Sequence, residues 1–493
     1  MNNYAPDINL IDLLQGVVVE HIEGSENQKI HSLELDSREI KQGACFFAIR
    51  GAQSDGHKFV RQAIEKGAVC IVHQNPIEKI HQEVSYVRVA NTSQAMAIMA
   101  SNFYDNPSKK MKLIGVTGTN GKTSVATLLY QTFLGMGYST GLIGTIKIAI
   151  EEEIYQANHT TPHSIAINEV LFRMTSRSCE FVFMEVSSHS IDQNRVYNLD
   201  FDGMVFTNLS HDHLDYHKTF DHYRDTKQKA FSWLKSSAFA LFNRDDKNGK
   251  IMVQNAQASK YSYALKSKAD FKARLIEQDL KSMLLEINGQ QAYFALSGIF
   301  NAYNLTAAFA TAMLLGKEED EVVKALTKVF PPKGRFELME VEKITGIIDF
   351  AHTPDALKNV LNNINNIRSK NEQLITILGC GGNRDKSKRP MMGNIAASMS
   401  DRVVFTSDNP RNEDPNQIIK DMKKGVMPSD IKKTISVQDR EEAIKTAVML
   451  SKPGDIILLA GKGHENFQDI DGVKYDFNDF QLLNQHLKEL SNV

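Results

Sequence analysis

Short apolar runs alternate along this chain with longer segments in which apolar residues recur every three or four positions. The runs have the length of buried strands, and the segments between them have the period of amphipathic helices. The predicted strands are residues 45–49, 68–72, 112–116, 181–185, 346–349, 374–378, 402–405 and 455–459. Strands that alternate with helices predict parallel α/β sheets.

Two stretches rich in structure-breaking residues divide this pattern. Residues 105–110 are turn-forming and charged, and residues 331–334 read Pro-Pro-Lys-Gly. A chain of 493 residues has the length of about three domains. We therefore predict three α/β domains, which comprise residues 1–108, 109–333 and 334–493.

Composition and charge narrow the class of protein. The net charge of −2 argues against a dedicated nucleic-acid binder, because phosphate contacts need a basic surface. The four cysteines form no CxxC pair, which predicts small buried hydrophobes rather than a disulfide framework or a thiolate zinc site. The N-terminal residues predict no signal peptide, and no apolar run reaches the roughly 20 residues that span a bilayer. A cytoplasmic protein without membrane insertion is expected.

A glycine-rich loop follows the predicted strand at 112–116. Residues 118–123 read Gly-Thr-Asn-Gly-Lys-Thr, and a helical pattern begins there. Backbone N–H groups at such a helix start bind an anion, Lys122 adds a charge toward the β- and γ-phosphates, and Thr123 offers a hydroxyl to magnesium. Val116 stands where the common phosphate loop has its first glycine, so a tight turn before a core helix is the alternative. The predicted buried face of the helix is Val125, Leu128, Leu129 and Phe133.

Two further glycine clusters do not fit a dinucleotide site. Residues 379–384 follow a predicted strand but have Arg384 where the dinucleotide fingerprint needs glycine or alanine. Residues 461–466 depart from the fingerprint in the same way. A nicotinamide-dependent enzyme is therefore disfavoured.

Carboxylates and histidines follow several predicted strands. Glu185 ends a buried strand, where α/β folds commonly place a ligand of nucleotide-bound magnesium, and residues 187–189 also suit a capped helix start. Residues 211–217 are dense in ligand types and indicate either a metal site or a polar turn. Residues 349–355 suit both a site that reaches across a domain cleft and a helix capped by Thr353. A Ser–His–Asp hydrolase fits poorly, because no G-x-S-x-G elbow is present.

Taken in order, these motifs resemble the Mur ligase family over essentially the whole chain. The resemblance is carried by residues 36–38, 117–124, 158–162, 185–189, 208–213, 296–301, 334–337, 349–354, 408–411 and 461–465. It implies an N-terminal uridine-nucleotide-binding α/β domain, a central P-loop ATPase-like parallel-sheet domain and a C-terminal Rossmann-like α/β domain that binds an amino acid.

The resemblance also implies a reaction and its small-molecule substrates. In this family ATP phosphorylates the free carboxylate of a nucleotide-linked peptide, and an amino acid's amine attacks the acyl phosphate. The implied substrates are ATP, UDP-N-acetylmuramoyl-L-alanyl-D-glutamate and meso-2,6-diaminopimelate. Because phosphates and carboxylates converge, Mg²⁺ and protein cations must offset their charge.

The family's functional positions map onto this sequence by motif. The residues expected to bind ATP are Gly118, Thr119, Asn120, Gly121, Lys122, Thr123, Ser124, Asn304, Arg335 and Asp349. Those expected to bind the nucleotide-linked peptide are Ser37, Asn158, Thr160, Thr161, Ser187, Gln193 and Arg195. The expected magnesium ligands are Thr123, Glu185, His213 and a carbamylated Lys227. The expected catalytic residues are Lys122, Lys227, Glu185, His213 and His352.

Lys227 is assigned by the resemblance alone, since it sits among Lys229 and Lys235 like an ordinary surface lysine. An ammonium would repel magnesium, whereas a carbamate is an anion. Forming the carbamate needs the neutral amine, which at a pKa near 10.4 is under about 0.1% of the population at pH 7. A desolvated position near the metal would favour it.

The amino acid added is predicted from Arg411, at the family's selecting position. Diaminopimelate differs from lysine by a second carboxylate, which a guanidinium binds bidentately; the alternative for Arg411 is a surface turn. The residues expected to bind diaminopimelate are Arg384, Asp408, Asn409, Pro410, Arg411, Gly461 and Glu465, with Glu465 suited to the distal ammonium. The open alternatives are a ligase that adds L-lysine, a folylpolyglutamate-type ligase and a nucleotide-binding regulator without turnover. A monomer is expected.

Overall fold

Three sheets, one in each third of the chain, organise the molecule. The computed structural model describes residues 7–51, 54–77, 81–156, 159–369 and 371–490. The sheets have five, eleven and six strands in chain order, so the prediction of three α/β domains is confirmed. Within the described residues, no helix is both long and apolar enough to cross a membrane.

The N-terminal sheet is mostly parallel, with one antiparallel pair at its edge. In spatial order its strands are Val19–Glu23, Ser85–Val89, Ala68–His73, Ala44–Ala48 and Ser32–Glu34. A separate pair of strands is Ile8–Asn9 with Lys29–Ile30. The helices are Leu10–Leu13, Val60–Glu65 and Thr92–Phe103, with 3-10 turns at Gly56–Phe59 and Pro107–Lys110.

The central sheet is parallel in its middle and antiparallel at both edges. In spatial order its strands are Glu153–Gln156, Lys147–Ile150, Thr140–Ile143, Phe181–Glu185, Lys112–Thr117, Gly203–Phe206, Phe239–Asn243, Ser259–Ala264, Phe271–Gln278, Met283–Ile287 and Gln290–Phe294. Its helices are Lys122–Gly135, Ser164–Ser176, Ser188–Asp192, Leu214–His217, Phe220–Ser232, Gly249–Val253, Ile299–Leu314 and Glu319–Leu326.

The C-terminal sheet is parallel except for its first hairpin. In spatial order its strands are Glu337–Val341, Ile344–Asp349, Ile456–Ala460, Leu374–Leu378, Arg402–Phe405 and Thr434–Ser436. A separate hairpin joins Phe467–Ile470 to Val473–Asp476. The helices are Pro354–Ile367, Lys388–Met399, Pro415–Lys423, Arg440–Leu450 and Asp479–Leu490, with a 3-10 turn at Ile431–Lys433.

The apolar pattern located the strands well but missed some ends. The runs at 181–185, 374–378 and 402–405 are strands with those bounds, whereas the strand expected at 455–459 is Ile456–Ala460. The strand expected at 45–49 is Ala44–Ala48. In a parallel sheet the ends depend on the neighbouring strands, which the local sequence does not report.

The predicted core positions are buried. The four apolar residues expected on the inner face of Lys122–Gly135 are all buried, and all four cysteines are buried and free. Cys45 and Cys70, far apart in sequence, lie opposite each other on neighbouring strands. The inner face of helix Lys122–Gly135 packs in one core with residues of the central sheet.

Candidate active site

The phosphate loop joins strand Lys112–Thr117 to helix Lys122–Gly135. Gly118 and Gly121 have φ of +152° and +89°. A Cβ at Gly118 would lie 1.9 Å from Thr207 Oγ1, and one at Gly121 would lie 2.7 Å from Asn304 Oδ1. Both positions therefore need glycine, for conformation and for space.

Asn208 follows strand Gly203–Phe206, which pairs with strand Lys112–Thr117, and it holds the phosphate loop through hydrogen bonds. Its backbone oxygen accepts from Thr119 N at 2.8 Å, and its Oδ1 accepts from Asn120 N at 2.9 Å. Lys122 Nζ donates to the carbonyl oxygens of Gly118 and Thr119 at 2.9 and 2.8 Å. Burial lowers the pKa of Lys122, although Glu185 and Asp212 oppose the shift. The Lys122 ammonium therefore bonds to backbone carbonyls, and phosphate oxygens can replace these carbonyls as acceptors.

Glu185 is buried at the carboxyl end of its strand and accepts hydrogen bonds on both oxygens. Thr123 Oγ1 donates to Oε2 at 2.8 Å, and Thr145 donates from its N–H at 2.6 Å and its hydroxyl at 3.0 Å. Arg335, from the C-terminal domain, reaches Thr123 Oγ1 with Nη2 at 3.3 Å. Sequence reasoning missed Thr145, because no motif marks the loop that carries it.

Lys227 lies on the inner face of helix Phe220–Ser232 and is only 1% exposed, so the surface-lysine interpretation is wrong. Its Nζ donates to Gly118 O at 2.9 Å and to Thr117 Oγ1 at 3.3 Å, and it lies 5.0 Å from the centre of the Tyr223 ring. Burial, and then the nearby Lys122, lower its pKa well below the ordinary value. The carbamylation itself stays a prediction.

Asp212 joins two predicted histidines in one cluster. It lies 3.3 Å from His213 Nε2 and 3.9 Å from His352 Nε2. Burial raises the pKa of Asp212, but His213, His352 and Lys388 outweigh it and lower that pKa to about 2. Burial lowers the pKa of His213 to about 3 and that of His352 to about 4. The sequence motif contained Asp212, but it was not given a role.

The C-terminal domain closes against the phosphate loop. Asp355 Oδ2 accepts from Asn120 Nδ2 at 3.2 Å, and His211 Nε2 lies 3.1 Å from Asp385 Oδ2. Thr353 caps helix Pro354–Ile367 by accepting from Ala356 N, as its place before Pro354 predicts. The segment 349–355 therefore is both a helix start and one wall of the cleft.

Thr160, Thr161 and Arg195, predicted to contact the peptide, line one part of the cleft, named here the Arg195 wall. Arg195 Nη1 donates to Thr161 O at 2.9 Å and holds Gln193 Oε1 with Nε and Nη2 at 3.0 and 2.6 Å. Thr161 Oγ1 donates to Glu185 O at 2.8 Å. Ser187 caps the short helix Ser188–Asp192 by accepting from Ser190 N, as predicted. Asn158, the remaining predicted contact of this group, lies outside the described residues.

Residues 408–411, predicted to contact the amino acid and named here the selecting turn, lie at another part of the cleft. Asn409 Nδ2 donates to Glu465 Oε2 at 2.8 Å, and Arg411 Nη1 donates to Gly382 O at 2.8 Å. Burial, and then Asp408, raise the pKa of Glu465, which Lys462 opposes. Lys462 is buried and was not expected here; its Nζ lies 3.4 Å from Glu465 Oε2.

One cleft of about 770 Å³ unites most of the predicted residues. Those lining it are Thr119, Asn120, Gly121, Lys122, Thr123, Ser124, Thr160, Thr161, Glu185, Ser187, Arg195, His213, Lys227, Asn304, Arg335, Asp349, His352, Arg384, Asp408, Asn409, Arg411, Gly461 and Glu465. Gly118, Gln193 and Pro410 lie close to lining residues but do not themselves line the cleft. Ser37 lies in the N-terminal domain, where its Oγ donates to Gln62 Oε1 at 2.8 Å.

The donor set near the loop fits a cation shared with a nucleotide. Glu185 and Thr123 offer a carboxylate and a hydroxyl oxygen 2.8 Å apart, and oxygen donors are what Mg²⁺ prefers. In the described part of the chain, no group of three or more His, Cys, Asp and Glu side chains is placed to hold a metal ion. The pair of Glu185 and Thr123 suits Mg²⁺, which is usually held by one or two carboxylates and substrate phosphates.

Family models match the chain in three consecutive stretches. The Mur ligase family catalytic domain matches residues 29–104, the Mur ligase middle domain matches residues 116–312, and the Mur ligase glutamate ligase domain matches residues 334–463.

Similar curated proteins share one name, UDP-N-acetylmuramoyl-L-alanyl-D-glutamate–2,6-diaminopimelate ligase. The protein of that name from Cytophaga hutchinsonii is 48% identical, and the match covers 97% of this chain and 99% of the relative. The Aquifex aeolicus protein is 41% identical over 93% of this chain and 94% of its own. A solved structure under the same name is 28% identical with a TM-score of 0.69, covering 99% of this chain and 100% of that one.

Other solved structures share the fold alone. The ADP complex of folylpolyglutamate synthase from Mycobacterium tuberculosis is 17% identical with a TM-score of 0.62, covering 75% of this chain and 92% of that one. The fold by itself therefore does not separate these activities.

Proposed function

We propose a specific reaction for this chain, which belongs to the Mur ligase family: it uses ATP to join meso-2,6-diaminopimelate to the D-glutamate of UDP-N-acetylmuramoyl-L-alanyl-D-glutamate. The enzyme is an ATP-dependent acid–amino-acid ligase of peptidoglycan precursor synthesis. Relatives that carry the name of this ligase match nearly the full chain at 39–48% identity. The observation that carries the proposal is a single cleft that joins the phosphate loop, the Arg195 wall and Arg411.

Two displacements account for the product. A carboxylate oxygen of the D-glutamate attacks the γ-phosphorus of ATP, and ADP leaves with the electron pair of the broken P–O bond. The diaminopimelate amine then attacks the acyl carbon, phosphate leaves and the amine loses a proton. Lys122 and Arg335 both lie beside Thr123. These two cations can therefore stabilise the negative charge of the phosphoryl group as it moves from ATP to the acyl phosphate.

Magnesium is proposed as the metal, with Thr123, Glu185, His213 and carbamylated Lys227 as its protein ligands. When bound, it would neutralise phosphate charge and orient the transferred group. The buried Lys227 supports the modification, since burial favours the neutral amine that reacts with carbon dioxide. Its 2.9 Å bond to Gly118 O places it directly against the phosphate loop.

Selectivity for diaminopimelate over lysine is assigned to the two arginines of the cleft, Arg384 and Arg411. Arg411 is 25% exposed in its side chain and lies against Gly382, so its guanidinium can meet a carboxylate out of bulk water. A carboxylate–guanidinium pair contributes about 1.5–3 kcal/mol, and lysine would leave Arg411 without that partner. The lysine-adding activity is the second candidate, because the same cleft would accept its shorter side chain.

The remaining assignments are also proposals. Residues 1–108 would bind the UDP-muramoyl end, residues 109–333 would bind ATP, and residues 334–493 would bind the amino acid. Ser37 would contact the uridine end from the first of these. We expect the protein to act in the cytoplasm, where ATP is available. We also expect a monomer, and light scattering tests the oligomeric state.

The test incubates the purified chain with ATP, the uridine-linked dipeptide and either diaminopimelate or L-lysine, and measures the product by mass. The expected product carries one diaminopimelate, and phosphate release requires all three substrates. Greater turnover with lysine would overturn the amino-acid assignment. Phosphate release that ignores the dipeptide and amino acid would overturn the ligase mechanism itself.

A further inference from the structure

A small hairpin lies beside the selecting turn. It joins Phe467–Ile470 to Val473–Asp476 through a two-residue turn at Asp471 and Gly472, whose φ values are +51° and +80°. Positive φ at both positions is the geometry of a tight type I′ hairpin, for which Asp-Gly is a favoured pair. The hairpin belongs to none of the functional motifs considered above.

The hairpin holds the backbone of Arg411 on both sides. Arg411 N donates to Asp469 O at 3.0 Å, and Asp471 N donates to Arg411 O at 2.9 Å, which forms a bridge between Arg411 and Ile470. Arg411 has φ of +51°, a left-handed conformation that residues with a side chain rarely adopt. These two bonds supply the constraint that keeps Arg411 in that conformation.

The hairpin also fixes the polar groups that precede Arg411. Gln468 Nε2 donates to Asp408 O at 2.7 Å and to Ser407 Oγ at 3.3 Å. Asp469 N donates to Asn409 Oδ1 at 2.9 Å. Since the oxygen of the Asn409 amide is occupied in this way, its nitrogen points toward Glu465.

Lys462 is a buried residue that bonds both to the hairpin and to the selecting turn. It is fully buried, and its Nζ donates to Asn409 Oδ1 at 3.1 Å and to Phe467 O at 2.5 Å. On the outer side Lys474 lies 4.3 Å from the centre of the Phe467 ring. The hairpin therefore cannot shift without moving Asn409.

We propose that this hairpin sets the selectivity of the site for diaminopimelate over lysine. Gln468, through its side chain, and Asp469, through its backbone, act as positioning residues that hold the selecting turn. The proposal rests on the proposed function and assigns its specificity to an element outside the substrate contacts. Without these bonds Arg411 and Asn409 relax away from the carboxylate-binding geometry. Lysine, which lacks that carboxylate, loses less than diaminopimelate.

The test compares kcat/KM for diaminopimelate with kcat/KM for lysine in wild type and Gln468→Ala, which removes the side-chain bonds to Asp408 O and Ser407 Oγ. Loss of these two hydrogen bonds should reduce this ratio about tenfold, while KM for ATP stays within about twofold of wild type. Gln485→Ala is the matched control, because Gln485 is exposed and bonds only to Glu489 on its own helix. Should Gln468→Ala fail to fold, Gln468→Asn keeps the amide but shortens its reach.

Each outcome decides one question. An unchanged ratio in a folded variant would overturn the role of the hairpin, and so would an equal rise in KM for all three substrates, since that is what a merely structural cover would give. A wild-type ratio that favours lysine would instead overturn the proposed amino acid. The effect of Gln468→Ala on that ratio would still report whether the hairpin controls it.

Discussion

The phosphate loop at residues 118–123 and the selecting turn at residues 408–411 both contain backbone with positive φ. They differ in the type of residue that adopts this conformation. The loop places glycine there, at Gly118 and Gly121, and one strand–helix junction supplies most of its shape. The turn places Arg411 there, and elements distant in sequence hold it in position.

This difference follows from what each site is proposed to bind. A phosphate is recognised by backbone N–H groups, so a contiguous segment of the right shape is sufficient. A second carboxylate on an amino acid is recognised by a side chain, which must itself be oriented. The loop can therefore be read from the sequence, whereas the geometry of the turn depends on Lys462, Gln468 and Asp469.

The largest effect is expected at Lys227, which lies behind the loop. Lys227→Ala removes the group that contacts Gly118 O and Thr117 Oγ1 and should reduce kcat on the order of a thousandfold. Short carboxylic acids such as acetate should restore part of it by replacing the carbamate. The measurement is phosphate release with all substrates saturating.

Lys229→Ala is the matched control, because Lys229 is exposed on the same helix. It should retain wild-type turnover. Full activity of Lys227→Ala would remove this lysine from the mechanism. Loss without any response to carboxylic acids would leave the lysine essential but argue against its carbamylation.

The loop side of the site could be predicted in detail because its signals are local. The glycines, Lys122 and the apolar helix face lie within about five turns of chain, and the capping roles of Ser187 and Thr353 follow from their immediate neighbours. The contacts with Thr145 and Asn208 were not predictable, since they come from loops that only the sheet order brings close.

The next effect is on stability beneath the selecting turn. Arg440 and Asp479 form a fully buried ion pair with bonds of 2.8 and 2.7 Å. Arg440 also reaches the carbonyl of Ala460, which ends its strand, and that of Ser407, which follows strand Arg402–Phe405 and precedes the turn. Asp479→Asn leaves a buried guanidinium without its charge partner and should lower Tm by roughly 5–10 °C. KM for diaminopimelate should rise more than KM for ATP.

Glu489→Gln is the control for this change, since Glu489 is exposed on the same helix. Its Tm should match wild type within about 1 °C. A normal Tm for Asp479→Asn would mean that the strand ends keep their positions without the ion pair. The turn would then depend on the hairpin alone.

A smaller effect, confined to one substrate, is expected at Arg411 itself. Arg411→Ala should lower kcat/KM for diaminopimelate about a hundredfold and leave kcat/KM for lysine within about threefold of wild type. Arg402→Ala serves as control, because Arg402 is exposed at the start of a strand. Equal losses for the two amino acids would show that Arg411 positions the backbone and does not read the carboxylate.

The selecting side was predicted only as a set of residues, not as a geometry. Arg384, Asn409 and Glu465 line the cleft as expected, but the partner of Glu465 in the structure is Lys462 together with Asn409. The Asp-Gly pair at 471–472 was readable as a hairpin signal. Its docking on Arg411 was not, because about 60 residues separate the two and no local pattern encodes the contact.

The smallest effect is expected from acid on the selecting side. Glu413 bonds bidentately to the buried Arg389 and accepts from Asn383 N, beside the loop that carries Arg384. The bonds from Arg389, opposed by some desolvation and aided by Asn383, lower the pKa of Glu413 from 4.5 to about 2. A lowered carboxyl pKa stabilises the folded state above the ordinary pKa, and that stabilisation is lost as the pH falls from about 4.5 toward 2.

Glu413→Gln should therefore have a Tm a few degrees below wild type near pH 7, and the gap should close as the pH approaches roughly 2–3. The protection factor of the Asn383 amide against hydrogen exchange should fall in wild type over the same range. Glu441→Gln, at a surface carboxylate 3.7 Å from Lys445, should show no such convergence. A Tm difference that persists at low pH would mean that packing, not charge, holds Glu413 in place. The selecting side would then resemble the phosphate loop, in that its geometry would not depend on ion pairs.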